Sequence, residues 1–106
     1  MSEELPKKKL LGMLGLASRA RKIITGTELV CDSVRSRKKV YSVIIASDVS
    51  ENTLKKLINC CEYYQTEYYR SSLTREEIAH AVGKLSGVSS VAIVDQNFSD
   101  AIKKLV

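Results

Sequence analysis

Apolar residues recur every three to four positions in five segments of the chain, which is the spacing of an amphipathic helix. The first such stripe runs from Leu10 to Ala17 and includes Gly12 and Gly15. Because a glycine weakens a helix by about 1 kcal/mol, we expect both glycines to permit close packing against a neighbour. The pattern predicts five helices: over residues 8–21, from Thr25, from Asp48 or Ser50, from Thr74 to Gly83, and along a stripe from Phe98 to Leu105.

Four shorter segments have the composition of β-strands. Val40–Ala46 and Ser90–Asp95 are largely apolar and too short for a buried helix, so each predicts a strand buried within a sheet. Lys22–Ile24 and Glu67–Arg70 predict two further short strands. Because strands alternate with helices, the chain is predicted to be an α/β protein: a three-layer α/β/α sandwich around a central mixed, mostly parallel sheet of about four strands.

Two of the predicted helix starts carry a capping box, in which a hydroxyl caps a backbone N–H and a carboxylate reaches back to the cap residue. Thr74 with Glu77 forms one box, and Thr25 with Glu28 forms the other. A helix that begins at Thr25 is expected to turn four side chains toward the core: Leu29, Val30, Ser33 and Val34.

Length and composition indicate one globular domain. We expect it to span residues 8–106, after a flexible basic lead-in over residues 1–7. No apolar stretch approaches the ~20 residues of a membrane span, and the start lacks a signal-peptide pattern. The three cysteines are odd in number and Cys60 is adjacent to Cys61, a spacing of neither a disulfide framework nor a zinc site. Free thiols and a cytoplasmic location are therefore expected.

Positive charge is concentrated in the first third of the chain. Residues 1–39 carry ten Lys/Arg and four Asp/Glu, a net charge of +6, whereas residues 40–106 carry seven and eight, a net charge of −1. Charge focused in this way is typical of a protein that binds a polyanion. The alternative is a solvated helix surface preceded by a disordered basic segment.

No residue pattern indicates an enzyme. His80, the one histidine, lies between alanines without a nucleophile or an orienting group, and no phosphate loop, dinucleotide fingerprint or metal-ligand cluster is present. We therefore expect no catalytic residue, metal ion, cofactor or small-molecule substrate. Tyr63, Tyr64, Tyr68 and Tyr69 allow base stacking, but they lie in the acidic part of the chain and at a helix–strand junction, where packing would bury two of them.

The start of the second helix is the strongest candidate for a binding site. Helix N-termini present unpaired N–H groups and a positive dipole end, and Gly26 would let another backbone approach closely. Arg19, Arg21 and Lys22 precede this start, and Arg35 follows it. Two carboxylates on the same helix, at positions 28 and 32, repel phosphate but can accept hydrogen bonds from base amino groups. This mixture favours the reading of exposed bases in structured RNA.

Several ordered sequence blocks resemble the ribosomal protein L7Ae/L30e/S12e/Gadd family, most closely its bacterial YlxQ-type branch. The blocks are LLGMLGLASRARKIITGTELV, VIIASDVSENTLKKLINCCEYYQ, EEIAHAVGK and SVAIVD, and the resemblance covers about residues 8–106. It implies an α/β/α sandwich that binds RNA, in the best-known members at kink-turns. The family's contact motif is Gly-x-Asn-Glu-x-x-Lys at the start of the second helix, and a second contact comes from the loop before the last core strand.

The contact motif is only partly preserved in this chain. Its glycine matches Gly26, but its asparagine, glutamate and lysine positions hold Glu28, Leu29 and Asp32. Leu29 has no polar group, and Asp32 reverses a charge. The resemblance also places Lys84, Leu85 and Ser86 in the second contact loop, where they would touch a flipped or unpaired base.

These observations predict a non-catalytic, ribosomal-protein-type RNA-binding protein whose partner is structured RNA, kink-turn-like or ribosomal, and with it the ribosome. The expected contact residues are Arg19, Arg21, Lys22, Gly26, Thr27, Glu28, Leu29, Asp32, Arg35, Lys84, Leu85 and Ser86. The alternative is a protein–protein adaptor on the same fold that does not bind RNA, with residues 63–69 or the exposed second helix as its contact surface.

Overall fold

The computed structural model of the chain describes residues 4–36 and 39–106. Within these residues, helices and strands alternate as the hydrophobic pattern predicts. The elements are α1 (Glu4–Arg19), β1 (Ile23–Thr25), α2 (Thr27–Arg35), β2 (Ser42–Ile45), α3 (Glu51–Tyr63), β3 (Tyr68–Arg70), α4 (Arg75–Val82), β4 (Ser90–Ile93) and α5 (Gln96–Lys103).

The four strands form one mixed sheet in the order β1-β4-β2-β3. β4 is antiparallel to both of its neighbours, whereas β2 and β3 are parallel. The mixed sheet is confirmed, but the expectation that it is mostly parallel is wrong. β1 and β2 do run in the same direction, as a strand–helix–strand unit requires, but β4 inserts between them in the opposite direction.

Alternate residues of the central strands pack into two separate cores. Ile44 and Val91 face a core shared with α1, α4 and α5, whereas Val43, Ile45 and Ala92 face a core shared with α2 and α3. All five side chains are fully buried. Because helices cover both faces of the sheet, the predicted three-layer sandwich is confirmed.

The first helix is longer than the sequence pattern predicted. It begins at Glu4 rather than at position 8, so it overlaps the segment 1–7 that we expected to be a lead-in; residues 1–3 lie outside the described residues. The Lys7 ammonium lies 3.0 Å from Glu77 Oε2 and so connects this helix to α4. A Cβ atom at Gly15 would lie 3.1 Å from the Ala81 carbonyl oxygen, which confirms close packing there. At Gly12 a Cβ would have no neighbour within 4 Å, so the same expectation is wrong for Gly12.

Helix ends follow the predicted chemistry in α3 and α4. Ser50 rather than Asp48 caps α3, accepting a hydrogen bond from the Thr53 N–H at 3.1 Å. The capping box of Thr74 and Glu77 is present, and α4 ends at Gly83 with a φ of 76°.

The turn after α1 places an arginine in a backbone conformation that favours glycine. Arg21 has a φ of 59°, and the N–H of Lys22 donates to the carbonyl of Ala17 at 2.9 Å. This hydrogen bond is that of a Schellman motif, which terminates a helix with one left-handed residue. A left-handed non-glycine residue costs about 1–2 kcal/mol, so the surrounding contacts hold Arg21 in place.

Candidate nucleic-acid interface

The second helix begins at Gly26 rather than at Thr25. Thr25 is still part of β1, where it pairs with Val91, and Gly26 follows as the N-cap with a φ of 95° and a ψ of 150°. The predicted capping box of Thr25 and Glu28 is therefore wrong. Thr25 belongs to the strand and lies one residue before the N-cap, so it is not the cap residue. No side chain caps this helix. The backbone N–H groups of its first turn therefore have no side-chain acceptor from the N-cap residue.

Hydrogen bonds connect this helix start to the segment before β4. The N–H of Gly26 donates to the Ser90 carbonyl at 3.0 Å, and the hydroxyls of Thr27 and Ser89 lie 2.6 Å apart. The loop that carries Lys84–Ser86 leads directly into Ser89. The two predicted contact regions thus lie at the same end of the sheet, and together they form a helix-start cluster: Gly26, Thr27, Glu28, Leu29 and Lys84–Ser86.

Two leucines of this cluster are exposed. Leu85 is 107% exposed and Leu29 is 61% exposed, so the expectation that Leu29 faces the core is wrong. The buried face of α2 consists of Val30, Cys31, Ser33 and Val34. Residue 29 directly precedes this buried face in sequence, and its side chain is turned to solvent. Both leucines therefore present apolar surface to solvent.

The arginines and the lysine nearest to Gly26 in sequence lie at the other end of the sheet. Lys22 precedes β1 at the Ile93 end, where its carbonyl accepts a hydrogen bond from the Val94 N–H at 2.9 Å. Lys22 and Gly26 are four positions apart along extended chain, a distance of roughly 13 Å. The fold therefore does not gather all the predicted contact residues at one point.

The second helix carries the chain back toward the Lys22 end. It starts at the Thr25 end of β1, and the next strand is entered at Tyr41, whose N–H donates to the Ile93 carbonyl at 2.9 Å. Arg35 closes this helix about 12 Å from its start. Arg21 and Lys22 are exposed at this end of the sheet, and Arg35 is exposed at the end of α2. We call these three residues the basic group. Residues 37 and 38, two further cations of the basic first third of the chain, lie outside the described residues.

Acidic side chains on α2 are balanced by cations. Asp32 Oδ1 lies 3.6 Å from the Arg35 guanidinium, so the charge reversal at residue 32 is offset within the same helix. Arg19, the remaining predicted contact, is exposed at the end of α1.

Lys56 is a cation of the site that the sequence analysis missed. Its ammonium on α3 forms an ion pair with Glu28 Oε2 across the gap between the two helices. The hydrogen bond to Lys56 lowers the pKa of Glu28 and raises the pKa of Lys56. A pairing between residues 28 positions apart depends on how α2 packs on α3, which no local pattern of the sequence records. Positive charge thus stands beside the helix-start cluster although the family's lysine position holds an aspartate.

Replacing Lys56 by methionine is expected to raise the pKa of the Glu28 carboxyl toward its ordinary value. In the unchanged protein the ion pair exists above the ordinary glutamate pKa and is lost as the pH falls through the lowered pKa. Both side chains are exposed, so stability should change little. A pH titration of the Glu28 carboxyl carbon by NMR measures the effect. Lys55→Met, which removes an adjacent exposed lysine, should leave the midpoint unchanged; an ordinary midpoint in the unchanged protein would contradict the pairing.

Other candidate groups have ordinary environments. Burial raises the pKa of Cys31 to about 11 and that of Cys61 to about 12, so both remain protonated thiols at neutral pH. His80 is exposed on α4, beside a shallow recess of about 300 Å³ that Lys84, Leu85 and Ser86 also line.

Residues 4–36 and 39–106 contain no group of His, Cys, Asp and Glu that could hold a metal ion. None of the helices described is long and apolar enough to cross a membrane.

The four tyrosines near the end of α3 divide into two pairs. Tyr63 and Tyr64 are exposed and contact each other edge to face, with ring centroids 4.8 Å apart. Tyr68 and Tyr69 on β3 are half-buried, as expected for a helix–strand junction. β3 is the edge strand farthest from β1, so the tyrosines lie across the sheet from the basic group.

Comparison with known proteins identifies the family of this chain. Residues 8–103 match the ribosomal protein L7Ae/L30e/S12e/Gadd45 family, so the chain belongs to this family and the resemblance noted in its sequence is confirmed. It is 35% identical to the RNA-binding protein YlxQ of Bacillus subtilis (strain 168) over 94 residues, which cover 89% of this chain and 91% of that protein. It is 36% identical to the RNA-binding protein YlxQ of Enterococcus faecium over 100 residues, which cover 94% and 93% of the two chains.

Solved structures show the same fold. A protein of unknown function from Bacillus halodurans C superposes with a TM-score of 0.83 at 35% identity, covering 92% of this chain and 95% of that chain. A 15.5kD RNA binding protein from Giardia lamblia superposes with a TM-score of 0.71, covering 99% of this chain and 88% of that chain. At 16% identity, the second match supports the fold alone.

Proposed function

We propose that this chain is a non-catalytic, cytoplasmic protein that binds structured RNA along the face formed by β1, α2 and the loop before β4. The main observation behind this proposal is the helix-start cluster. There the Thr27–Ser89 hydrogen bond connects the uncapped start of α2 to the loop that carries Lys84–Ser86. The RNA-binding names of two relatives that match most of the chain support the same function.

The two ends of this face contribute different interactions. At the helix-start cluster, Leu29 and Leu85 cover the face of an unpaired base, and the N–H groups of the first turn donate to phosphate or base oxygens. At the Ile93 end, the basic group binds phosphates about 13 Å away. The RNA therefore lies along the direction of β1, with an unpaired nucleotide at the Gly26 end and a backbone segment at the Lys22 end.

The departures from the family motif bear on the RNA that is recognised. Leu29 has no polar group for a base edge, and the Glu28 carboxylate is already paired with Lys56. We propose that the target is a structured RNA, ribosomal or kink-turn-like, in which an unpaired base contacts the two leucines. This arrangement does not use the asparagine and glutamate side chains of the family motif, whose positions hold Glu28 and Leu29 here.

Replacing Leu85 or Leu29 by alanine tests the cluster. Each change removes part of an apolar surface that would cover a base, and we expect a loss of about 1 kcal/mol in RNA binding, roughly fivefold in Kd, with little change in stability. The slope of log K against log salt should not change, because no phosphate contact is removed. Titrations with a kink-turn RNA, a plain duplex and ribosomal RNA measure both quantities.

Tyr63→Ala is the matched control, because Tyr63 is 79% exposed and lies on the surface that an adaptor would use. Its RNA affinity should equal that of the unchanged protein. The proposal is wrong if Leu85→Ala and Leu29→Ala bind all three RNAs as tightly as the unchanged protein, or if none of the RNAs binds at moderate salt.

A further inference from the structure

A groove between α1 and α5 lies outside the proposed RNA face of β1, α2 and the loop before β4, and it includes one residue, Arg19, that the sequence analysis expected to contact RNA. It has a volume of about 640 Å³, and its floor is formed by Gly12, Met13 and Leu16 of α1 and by Ala101 and Leu105 of α5. Leu16, one of these residues, is 48% exposed. An apolar groove of this kind between two helices can hold the apolar face of a third helix.

Gly12 has no role inside the fold that explains it. It lies in the middle of a helix, where glycine is unfavourable, and a Cβ at this position would have no neighbour within 4 Å. Gly15, one turn later, differs because it approaches the Ala81 carbonyl. Any longer side chain at residue 12 would project into the groove, so the glycine keeps the groove open.

Three cations surround the apolar floor. Lys9, Arg19 and Lys104 line the groove, and among the described residues none of the three lies within ion-pair distance of a carboxylate. Positions 9 and 19 lie roughly 15 Å apart along the α1 axis, which matches about three turns of a docked helix. The groove is therefore apolar along its centre and positive at its rim.

We propose that this groove binds an amphipathic helix of a partner protein, whose apolar face covers Gly12 and whose flanking side chains are acidic. Acidic flanks would complement the three cations. A nucleic-acid backbone fits the groove less well, because it has no apolar surface to cover the apolar floor. A second copy of this chain docked groove to groove would bring the same cations together, which charge repulsion opposes. The site goes beyond the proposed RNA function and differs from the tyrosine surface on the opposite edge strand.

The test is an NMR titration of the full chain with an acidic peptide probe. The probe is a ~16-residue helical peptide with leucines at helical spacing and glutamates on both sides, compared with a peptide in which lysines replace the glutamates. We expect the glutamate peptide to shift the amide signals of residues 9–19 and 101–105, and the lysine peptide to bind about tenfold or more weakly. Equal binding of the two peptides, or no shifts in the groove, would overturn the proposal.

Two substitutions at one position provide the control. Gly12→Leu fills the groove, whereas Gly12→Ala adds only one methyl group, and both replace a helix-weakening glycine, so both variants should fold. Gly12→Leu is expected to reduce peptide affinity about tenfold or more, and Gly12→Ala is expected to retain most of it. Neither variant should change RNA affinity.

Two further outcomes would assign the groove to another occupant. If duplex RNA shifts the groove signals and the glutamate peptide does not, the groove belongs to the RNA interface and the proposal fails. If sedimentation shows self-association that Gly12→Leu abolishes, the occupant is a second copy of the chain and the proposal also fails.

Discussion

Replacing Gly26 by alanine should lower the free energy of unfolding by about 1–3 kcal/mol and weaken RNA binding at the same time. The φ of 95° and ψ of 150° at this residue belong to a region that only glycine occupies readily. An added Cβ would meet no atom within 4 Å, so the whole effect comes from the backbone conformation. A shift of the cap residue would also move the Thr27 hydroxyl away from Ser89. Urea unfolding and an RNA titration measure the two effects.

Gly12→Ala is the matched control for this substitution. Gly12 also has free space around a new Cβ, but it lies in the interior of a helix, where alanine is preferred. We expect this variant to be more stable by about 1 kcal/mol and unchanged in RNA binding. If Gly26→Ala were as stable as the unchanged protein or more stable, the backbone conformation assigned to Gly26 would be incorrect.

Replacing Arg21 and Lys22 together by alanine should reduce RNA affinity about tenfold or more at low salt. The two exposed cations directly precede the edge strand β1, beside the proposed phosphate path. Each phosphate contact contributes about 0.7–0.9 to the slope of log K against log salt, so loss of both should reduce that slope by about 1.4–1.8. Preference among RNA sequences should not change, because phosphate contacts do not read bases. Titrations at several salt concentrations measure the slope.

Lys55→Ala with Arg70→Ala removes the same charges at the far side of the sheet. Both residues are exposed, and Arg70 ends β3, the edge strand opposite β1. This control should leave the slope close to that of the unchanged protein. A slope that falls equally in both double variants would show that net charge, and not the basic group, determines RNA binding.

Local patterns of the sequence were sufficient to predict most of the helices and strands of the fold. The β-branched run that ends at Ala46 predicted a central strand because such residues pack well on both faces of a sheet. Thr74, Glu77 and Gly83 predicted the two ends of α4 because capping depends on neighbours within four residues. Each of these features depends on residues that are close together in the sequence, so it can be predicted from the order of the residues.

Features that depend on distant contacts were not predicted. The insertion of β4 between β1 and β2 reverses its direction relative to both, and alternation of strands and helices does not encode that choice. Thr25 and Glu28 have the spacing of a capping box, but pairing of Thr25 with Val91 in the sheet outweighs it. The helix therefore has Gly26 as its N-cap, one residue after the predicted cap. Lys56 was missed because its partner lies on another helix.

The position of β4 has a consequence for how the protein acquires its function during synthesis. This strand comes last in the chain but lies in the middle of the sheet, and its neighbours β1 and β2 do not pair with each other. During synthesis the edge strand and the start of α2 emerge before Ser89 and Ser90, the residues that hydrogen-bond to Thr27 and Gly26. The proposed RNA face is therefore complete only after the final strand has entered between β1 and β2.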